Sequence, residues 1–482
     1  MHLARVEAET HTPPCGPRPV GSVARFALRF ALAAVVSASL IGCGNTYRPV
    51  VTAINPVGPA GQPRKFAVAI SSTGPNTPGL VTFVDFSGDT VLITANIGVD
   101  PYYLALGNEG STGYTLNRDG TVNSFNITTT LLSSQVKQTT LLPGANPVSI
   151  FPQGTYTYVA EPGRNVIANF EKSPPVLVQE FPIPNPTYVV GVEAAARIYA
   201  LGQDNAGNGL AATLETSNNT IDSATIPLGK NPVYGVMTAD QKRVFVMNKG
   251  DGTVSVINSQ TNQLDILPSG RSNPISVGGA PLWADFAPTR NELVVANAGA
   301  DSSSPGTVSI ISIPLCSATS LPSNPNCDPN NPVDATDFGK VIATVPVGIN
   351  PVMVSVLQDG TRAYVANAGD PNLPCGPAPA VPGVSTVCSV SVINLNTNTV
   401  TATITGLPDI PTQIGGTCTT VGVPTLCGHP GWIASTNASP TGKVYVTSPD
   451  STSMTMIRTD TDSVGATIPL QGKGIAVRVT EP

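Results

Sequence analysis

The stretch Arg243-Val-Phe-Val-Met-Asn248, then Asp251-Gly252, then Thr253-Val-Ser-Val-Ile-Asn258 decides the fold. Two short runs with period-2 apolar patterning flank an Asp-Gly pair, which is the sequence signature of a β-hairpin closed by a tight turn. A third strand is expected at Gln263-Leu-Asp-Ile-Leu267, and a fourth opens on proline at Pro281-Leu-Trp-Ala-Asp-Phe286. Proline is tolerated as the first residue of a strand because no ladder donor is needed there.

Outward from this unit, the same four-strand phrase occurs eight times. Its first strands begin near Phe66, Tyr114, Tyr156, Ile198, Val244, Leu293, Ala363 and Val444. Its fourth strands open at Asp100-Pro101, Asn146-Pro147, Asn185-Pro186, Asn231-Pro232, Ala280-Pro281, Asn350-Pro351 and His429-Pro430, and the eighth reads Gly474-Ile-Ala-Val-Arg-Val479 without proline. A repeat of about 45 residues means an array, a solenoid or a propeller. A four-stranded antiparallel sheet of that size cannot bury both its faces alone. Stacking such sheets around an axis covers each face with the next blade and leaves only short edges. The expectation is an all-β propeller of four-stranded antiparallel blades, eight by repeat count. The last inward strand, Gly474–Val479, has no hairpin after it, and the first hairpin has no inward strand of the same type before it. The C-terminal strand is therefore expected to complete the first blade, with Arg48–Ile54 as the alternative.

Tyr364-Val-Ala-Asn367, Val294-Val-Ala-Asn297, Phe245-Val-Met-Asn248 and Tyr445-Val-Thr-Ser448 resemble the Tyr-Val-Thr-Asn signature of YVTN-family β-propellers. The Val-Ser-Val-Ile-Asn segments and Asn396–Val400 fit that repeat too. The resemblance covers roughly residues 64–482 and is strongest in the last four units. It implies a fold more than a function, and familiar relatives tend towards seven blades. Some similar propellers are lactonases and others sit in quinone-linked dehydrogenases, which keeps a propeller enzyme of either type as the alternative to a binding module.

The N-terminal segment speaks for location. Arg25 and Arg29 precede an apolar run that ends in Leu40-Ile41-Gly42-Cys43. Basic residues, a short apolar stretch and then small residues make a secretion signal. Spanning a bilayer needs about 20 apolar residues, more than this run offers. The terminal Cys resembles a bacterial lipobox, so residues 1–42 are expected to be a lipoprotein signal peptide. Cys43 would be the lipidated residue, residues 43–63 a Pro/Gly-rich tether, and residues 64–482 the propeller. Gly44 stands where Asp would favour inner-membrane retention, which leans towards the outer membrane. The expected partners are the membrane, through the lipid at Cys43, and an envelope protein or carbohydrate ligand.

Beyond residue 42 the chain carries 20 basic and 28 acidic side chains. That net negative charge argues against nucleic acid, which selects basic patches. Six further cysteines fall as near neighbours, Cys316/Cys327, Cys375/Cys388 and Cys418/Cys427, in Pro- or Gly-rich insertions at about 315–337, 370–388 and 407–427. Local disulfides in an oxidising compartment are the simplest reading, although six cysteines permit many connectivities. The insertions are expected to crowd one side of the disc. Spacing gives no metal site, since no pair is Cys-x-x-Cys and only His429 could assist.

No catalytic constellation is legible, and no cofactor is implied by a phosphate loop or dinucleotide fingerprint. His429 is the only histidine beyond the signal, and no Gly-x-Ser-x-Gly elbow precedes it. One pattern stands out. Two residues after the strand-opening Pro the chain places Tyr103, Ser149, Tyr188, Tyr234, Trp283, Met353 and Trp432. Equivalent positions in a propeller form a ring. Tyr103, Tyr188, Tyr234, Trp283 and Trp432 are thus a candidate binding collar near the axial tunnel, suited to a sugar, peptide or partner chain. A packing layer between blades would demand the same large flat side chains.

Overall fold

A computed structural model of the chain describes residues 66–107, 110–133, 135–172, 175–192, 195–314, 337–373, 375, 386–407, 428–436 and 442–480. The expected signal peptide, Cys43, the expected tether, and Cys316, Cys327, Cys418 and Cys427 lie outside the described residues. All described residues belong to one compact unit, Pro63–Pro482.

Eight antiparallel sheets follow one another along this unit. Blade 1 is made of Lys473–Val479, Phe66–Ser72, Pro78–Asp85 and Thr90–Val99, from the axis outward. The innermost strands of blades 2 to 8 are Pro101–Leu106, Ser149–Gln153, Tyr188–Val190, Pro232–Met237, Pro281–Ala287, Pro351–Val356 and Trp432–Ser435. Each packs against the next, and Lys473–Val479 touches both Trp432–Ser435 and Pro101–Leu106, so the ring is closed. The C-terminal strand pairs with the first, Ala67 opposite Val479 and Ile70 opposite Ala476. The Phe66 amide donates to Thr480 Oγ1 at 2.8 Å, and the Thr480 amide returns a bond to Phe66 O at 2.9 Å.

The burial follows from the stacking. Arg243–Asn248 and Glu292–Asn297 are buried at every position, because each face of a middle strand meets a neighbouring blade. The outer strand Lys340–Ile349 alternates exposed and covered residues over its first half. Blade 5 departs from the expected pattern. Its outer strand pairs only at Gln263–Leu264, not through Leu267, before Ile275–Ser276 rejoins the sheet. The Asn273 side chain replaces the missing strand, accepting from the Val256 amide and donating to Val256 O and Asp265 O.

Two side-chain devices join consecutive blades. Near one end, a tyrosine of the second strand donates to a left-handed Asn or Asp in the outer hairpin of the following blade. Tyr199 reaches Asn262 at 3.1 Å, Tyr364 reaches Asp462 at 2.6 Å, and Tyr445 of blade 8 reaches Asp89 of blade 1 at 2.8 Å. The acceptors have φ of 56°, 48° and 52°, a conformation Asn and Asp tolerate better than other side chains. Near the other end, the Asn that closes the signature bonds to hydroxyls of the third strand, as Asn367 does to Ser389 and Ser391. Gly348 of the preceding blade lies against Asn367, where an added Cβ would come within 2.8 Å of the amide. Blade 6 carries Val294 at the tyrosine position. In blade 7, Asn398 keeps its φ of 55°, but its buried Oδ1 has no partner among the described residues.

The ends of the insertions do not share a side. Residues 315–336 follow Pro305–Ser312, which runs parallel to its innermost strand, whereas residues 376–385 and 408–427 follow strands running the opposite way. Alternating strand direction therefore divides their anchor points between both faces of the disc, correcting the expectation of one crowded side.

Candidate functional site at the propeller axis

The residue two places after the opening proline sits at a β-bulge. The pairing register shifts between Pro101 and Tyr103, Pro232 and Tyr234, Pro281 and Trp283, and Pro351 and Met353. A bulge bends its strand and re-aims a side chain. The five aromatic residues then meet one another. Tyr234 stacks on Trp283 at 3.8 Å between ring centres, and Tyr188 lies 4.9 Å from Tyr234. Trp283 meets Trp432 edge-on at 5.6 Å, and Trp432 meets Tyr103 at 5.7 Å. These last contacts join blade 6 to blade 8 and blade 8 to blade 2, which are not neighbours. Only side chains converging on the axis can touch in that way. The Tyr188 hydroxyl couples to those of Tyr103 and Tyr234, and burial pushes all three phenols upward.

Arg478, from the closing strand of blade 1, enters this cluster. Its guanidinium lies 4.7 Å from the centre of the Trp432 ring and 5.5 Å from that of Trp283. Such a cation over an aromatic face is worth roughly 0.5–2 kcal/mol, more when desolvated. No carboxylate lies within ion-pair distance of it among the described residues. Asp285 is the other charge at the axis. Burial raises its pKa to about 6, against the amide hydrogen bonds from Val356 and Phe286 and the positive charge of Arg478.

Beside Asp285 a cavity of about 280 Å³ opens between the innermost strands of blades 6, 7, 8 and 1. Asp285, Ser355, Gln358, Ser435, Thr436 and Thr480 supply its polar lining. Ser355 and Ser435 hold each other at 2.9 Å, and the Ser435 hydroxyl reaches Val356 O. The chemistry offered is a row of hydroxyls, one amide and one carboxyl, with Phe286 as the aromatic part of the wall.

The remaining candidates gather elsewhere. Cys375 and Cys388 form a disulfide with Cα atoms 5.0 Å apart, in the connection between the second and third strands of blade 7. His429 lies beside it. Its Nδ1 meets Asp450 Oδ2 at 2.6 Å, and its amide donates to Asp450 Oδ1. Nε2 faces the carbonyl oxygens of Leu373 at 3.1 Å and Asp370 at 3.3 Å. Burial pulls the imidazole pKa down, but the bond and charge of Asp450, then the two carbonyls, carry it above its usual value.

Sequence reasoning missed Arg478, Asp285 and the paired serines. A signal was present: Asp285 is the only acidic residue in the eight innermost strands, and Arg478 interrupts an apolar run.

No family model matches this chain, and no curated protein matches it. Solved structures do. The dihydro-heme d1 dehydrogenase NirN in complex with DHE is 12% identical, with a TM-score of 0.57, over 86% of this chain and 75% of that one. Apo AztD from Citrobacter koseri is 11% identical, with a TM-score of 0.54, over 86% of this chain and 97% of that one. At such identities the likeness shows the propeller fold alone.

Proposed function

We propose that this chain is an extracytoplasmic binding module, lipid-anchored at Cys43 in the bacterial cell envelope. Its axial cavity would hold a small hydroxyl-rich ligand of the carbohydrate class. The observation that carries the binding role is the cavity of about 280 Å³, lined by Ser355, Ser435, Thr436, Gln358 and Asp285 with Phe286 beside them. Ligand sites combine an apolar wall with a few convergent polar groups, and pockets for drug-sized molecules begin at about 300 Å³. A monosaccharide unit matches both the size and the chemistry. Hydroxyl-lined walls meet its hydroxyls, while Phe286, Pro288, Val356 and Val479 supply the apolar part of the lining.

The chain contains two tryptophans, and both stand in the collar, so intrinsic fluorescence reports directly on this site. Titration with glucose, N-acetylglucosamine, glucuronic acid and a tripeptide should give a saturable change with a sugar. The double substitution Ser355→Ala, Ser435→Ala should abolish it. A flat response to every sugar would remove the carbohydrate reading. Anchoring is tested separately by membrane fractionation of Cys43→Ser, which should release the protein from the membrane.

A further inference from the structure

We propose that Cys375, Cys388 and His429 form a redox-gated site for a thiophilic divalent metal ion of the Zn²⁺ class. It is separate from the axial cavity and independent of the reading given for it. The two sulfurs and an imidazole nitrogen lie within 4.8 Å of one another. Both cysteines are almost fully buried, at 3% and 4% exposure, which removes competing water. Two thiolates and an imidazole are a donor set that tetrahedral Zn²⁺ accepts, with a fourth position left to water or a carbonyl oxygen.

The second observation is the way the histidine is held. Asp450 takes Nδ1 at 2.6 Å and also fixes the His429 backbone amide at 2.8 Å. A carboxylate on one ring nitrogen sets the tautomer, orients the ring and raises the basicity of the other nitrogen, the arrangement that supports metal-bound histidines. Nε2 is thereby left facing the segment that leads into Cys375. The framework is also firm at two of the three corners. Cys388 immediately precedes the strand Ser389–Asn394, and His429 stands three residues before Trp432–Ser435. Only the Cys375 corner lies in a longer connection.

The gate is the disulfide. While the sulfurs are bonded to each other they carry no charge for a metal. An external dithiol opens the bridge by exchange. Two electrons and two protons pass to the sulfurs, giving two thiols, and the dithiol becomes a disulfide. Binding of the metal then displaces both thiol protons and, from the imidazolium, the proton on Nε2. Oxidation reverses the sequence and expels the ion. In an oxidising compartment the bridge is the resting state, and the site opens only when a reductant cleaves it.

The test is titration of the full chain with Co²⁺, before and after reduction by a phosphine and its removal. Thiolate-to-cobalt charge-transfer and visible d–d bands are expected in the reduced protein alone. Other cysteines also become thiols, so the decisive quantity is a difference. His429→Gln should lose one equivalent of bound Co²⁺ relative to wild type, and Asp450→Asn should weaken the same equivalent about 10–100-fold. Cys375→Ser, which leaves His429 and Asp450 intact, serves if His429→Gln fails to fold, and should lose the same equivalent. Equal stoichiometry in wild type and these variants, or binding indifferent to oxidation, would overturn the proposal.

Discussion

At the rim and at the axis of this propeller, polar groups are treated in opposite ways. At the rim they are matched. Tyr364 and Arg362 of blade 7 both close on Asp462 of blade 8, at 2.6 and 2.8 Å. Tyr445 and Lys443 of blade 8 do the same to Asp89 of blade 1. At the axis the charges have backbone partners but no ion pair among the described residues. Arg478 rests on tryptophan faces without a carboxylate in reach among the described residues, and Asp285 is buried far enough to titrate near pH 6. A satisfied polar contact contributes about 1 kcal/mol net, whereas a desolvated and poorly matched one costs free energy. The rim is built to hold blades together with matched charges, and the axis holds its charges by backbone groups and aromatic faces alone.

The contrast breaks most visibly at Asp462. Asp462→Gly keeps the left-handed backbone comfortable but strips acceptors from both Tyr364 and Arg362. A loss of about 2–3 kcal/mol is expected, read as a lower urea midpoint at unchanged slope. Asp285 should act with the opposite sign on a comparable scale. Its folded pKa is raised from 3.8 to about 6, so the native state binds more protons than the unfolded state between those values. Stability therefore falls as pH rises from about 4 to 6 and levels off above, by on the order of 3 kcal/mol. Urea titrations of Asp285→Asn across that window should show that part of the slope gone. An unchanged slope would move the effect to another group.

Smaller changes sharpen the comparison. Tyr364→Phe removes one hydroxyl while Arg362 still serves Asp462, and about 1 kcal/mol should be lost in chemical denaturation. The smallest effect is expected at a rim junction that lacks the tyrosine. Asn398→Gly deletes an acceptor that Val294 never served, at a φ of 55° that glycine accepts freely. Its urea midpoint should stay within about 0.5 kcal/mol of wild type. A loss as large as that of Asp462→Gly would show that the left-handed residues matter for some reason other than the clasp.

How much of this was legible in advance depends on whether the information was local. Blade strands and the order of closure were readable because each phrase carries its own alternation, its turn and its opening proline, repeated until the count becomes a ring. The meeting of the aromatic side chains was readable for the same reason: one register position holds Tyr103, Tyr234 and Trp283, and the bulge behind the proline repeats with it. Blade 5 misled because the amide of Asn273 takes over the pairing of a strand, and no periodicity announces a side chain doing backbone work. Arg478 escaped because it stands in the one innermost strand without a proline, outside the pattern being aligned. The approach of His429 to Cys375 and Cys388 was out of reach for sequence spacing. Those residues belong to consecutive blades, and the ring, not the chain, brings them together.

The bond between Phe66 and Thr480 spans a sequence separation of 414 residues. Until the strand that carries Thr480 has been made and delivered, Phe66–Ser72 keeps a bare edge of unpaired amides and carbonyls, the kind of edge that recruits foreign strands. The ring is thus a late event in the life of the chain, set by delivery of its final strand and not by the quality of the seven sheets already formed. A chain made from its N-terminus exposes that edge long before its partner strand exists. Any factor that shelters Phe66–Ser72 in the interval would decide yield more than the stability of the finished disc does.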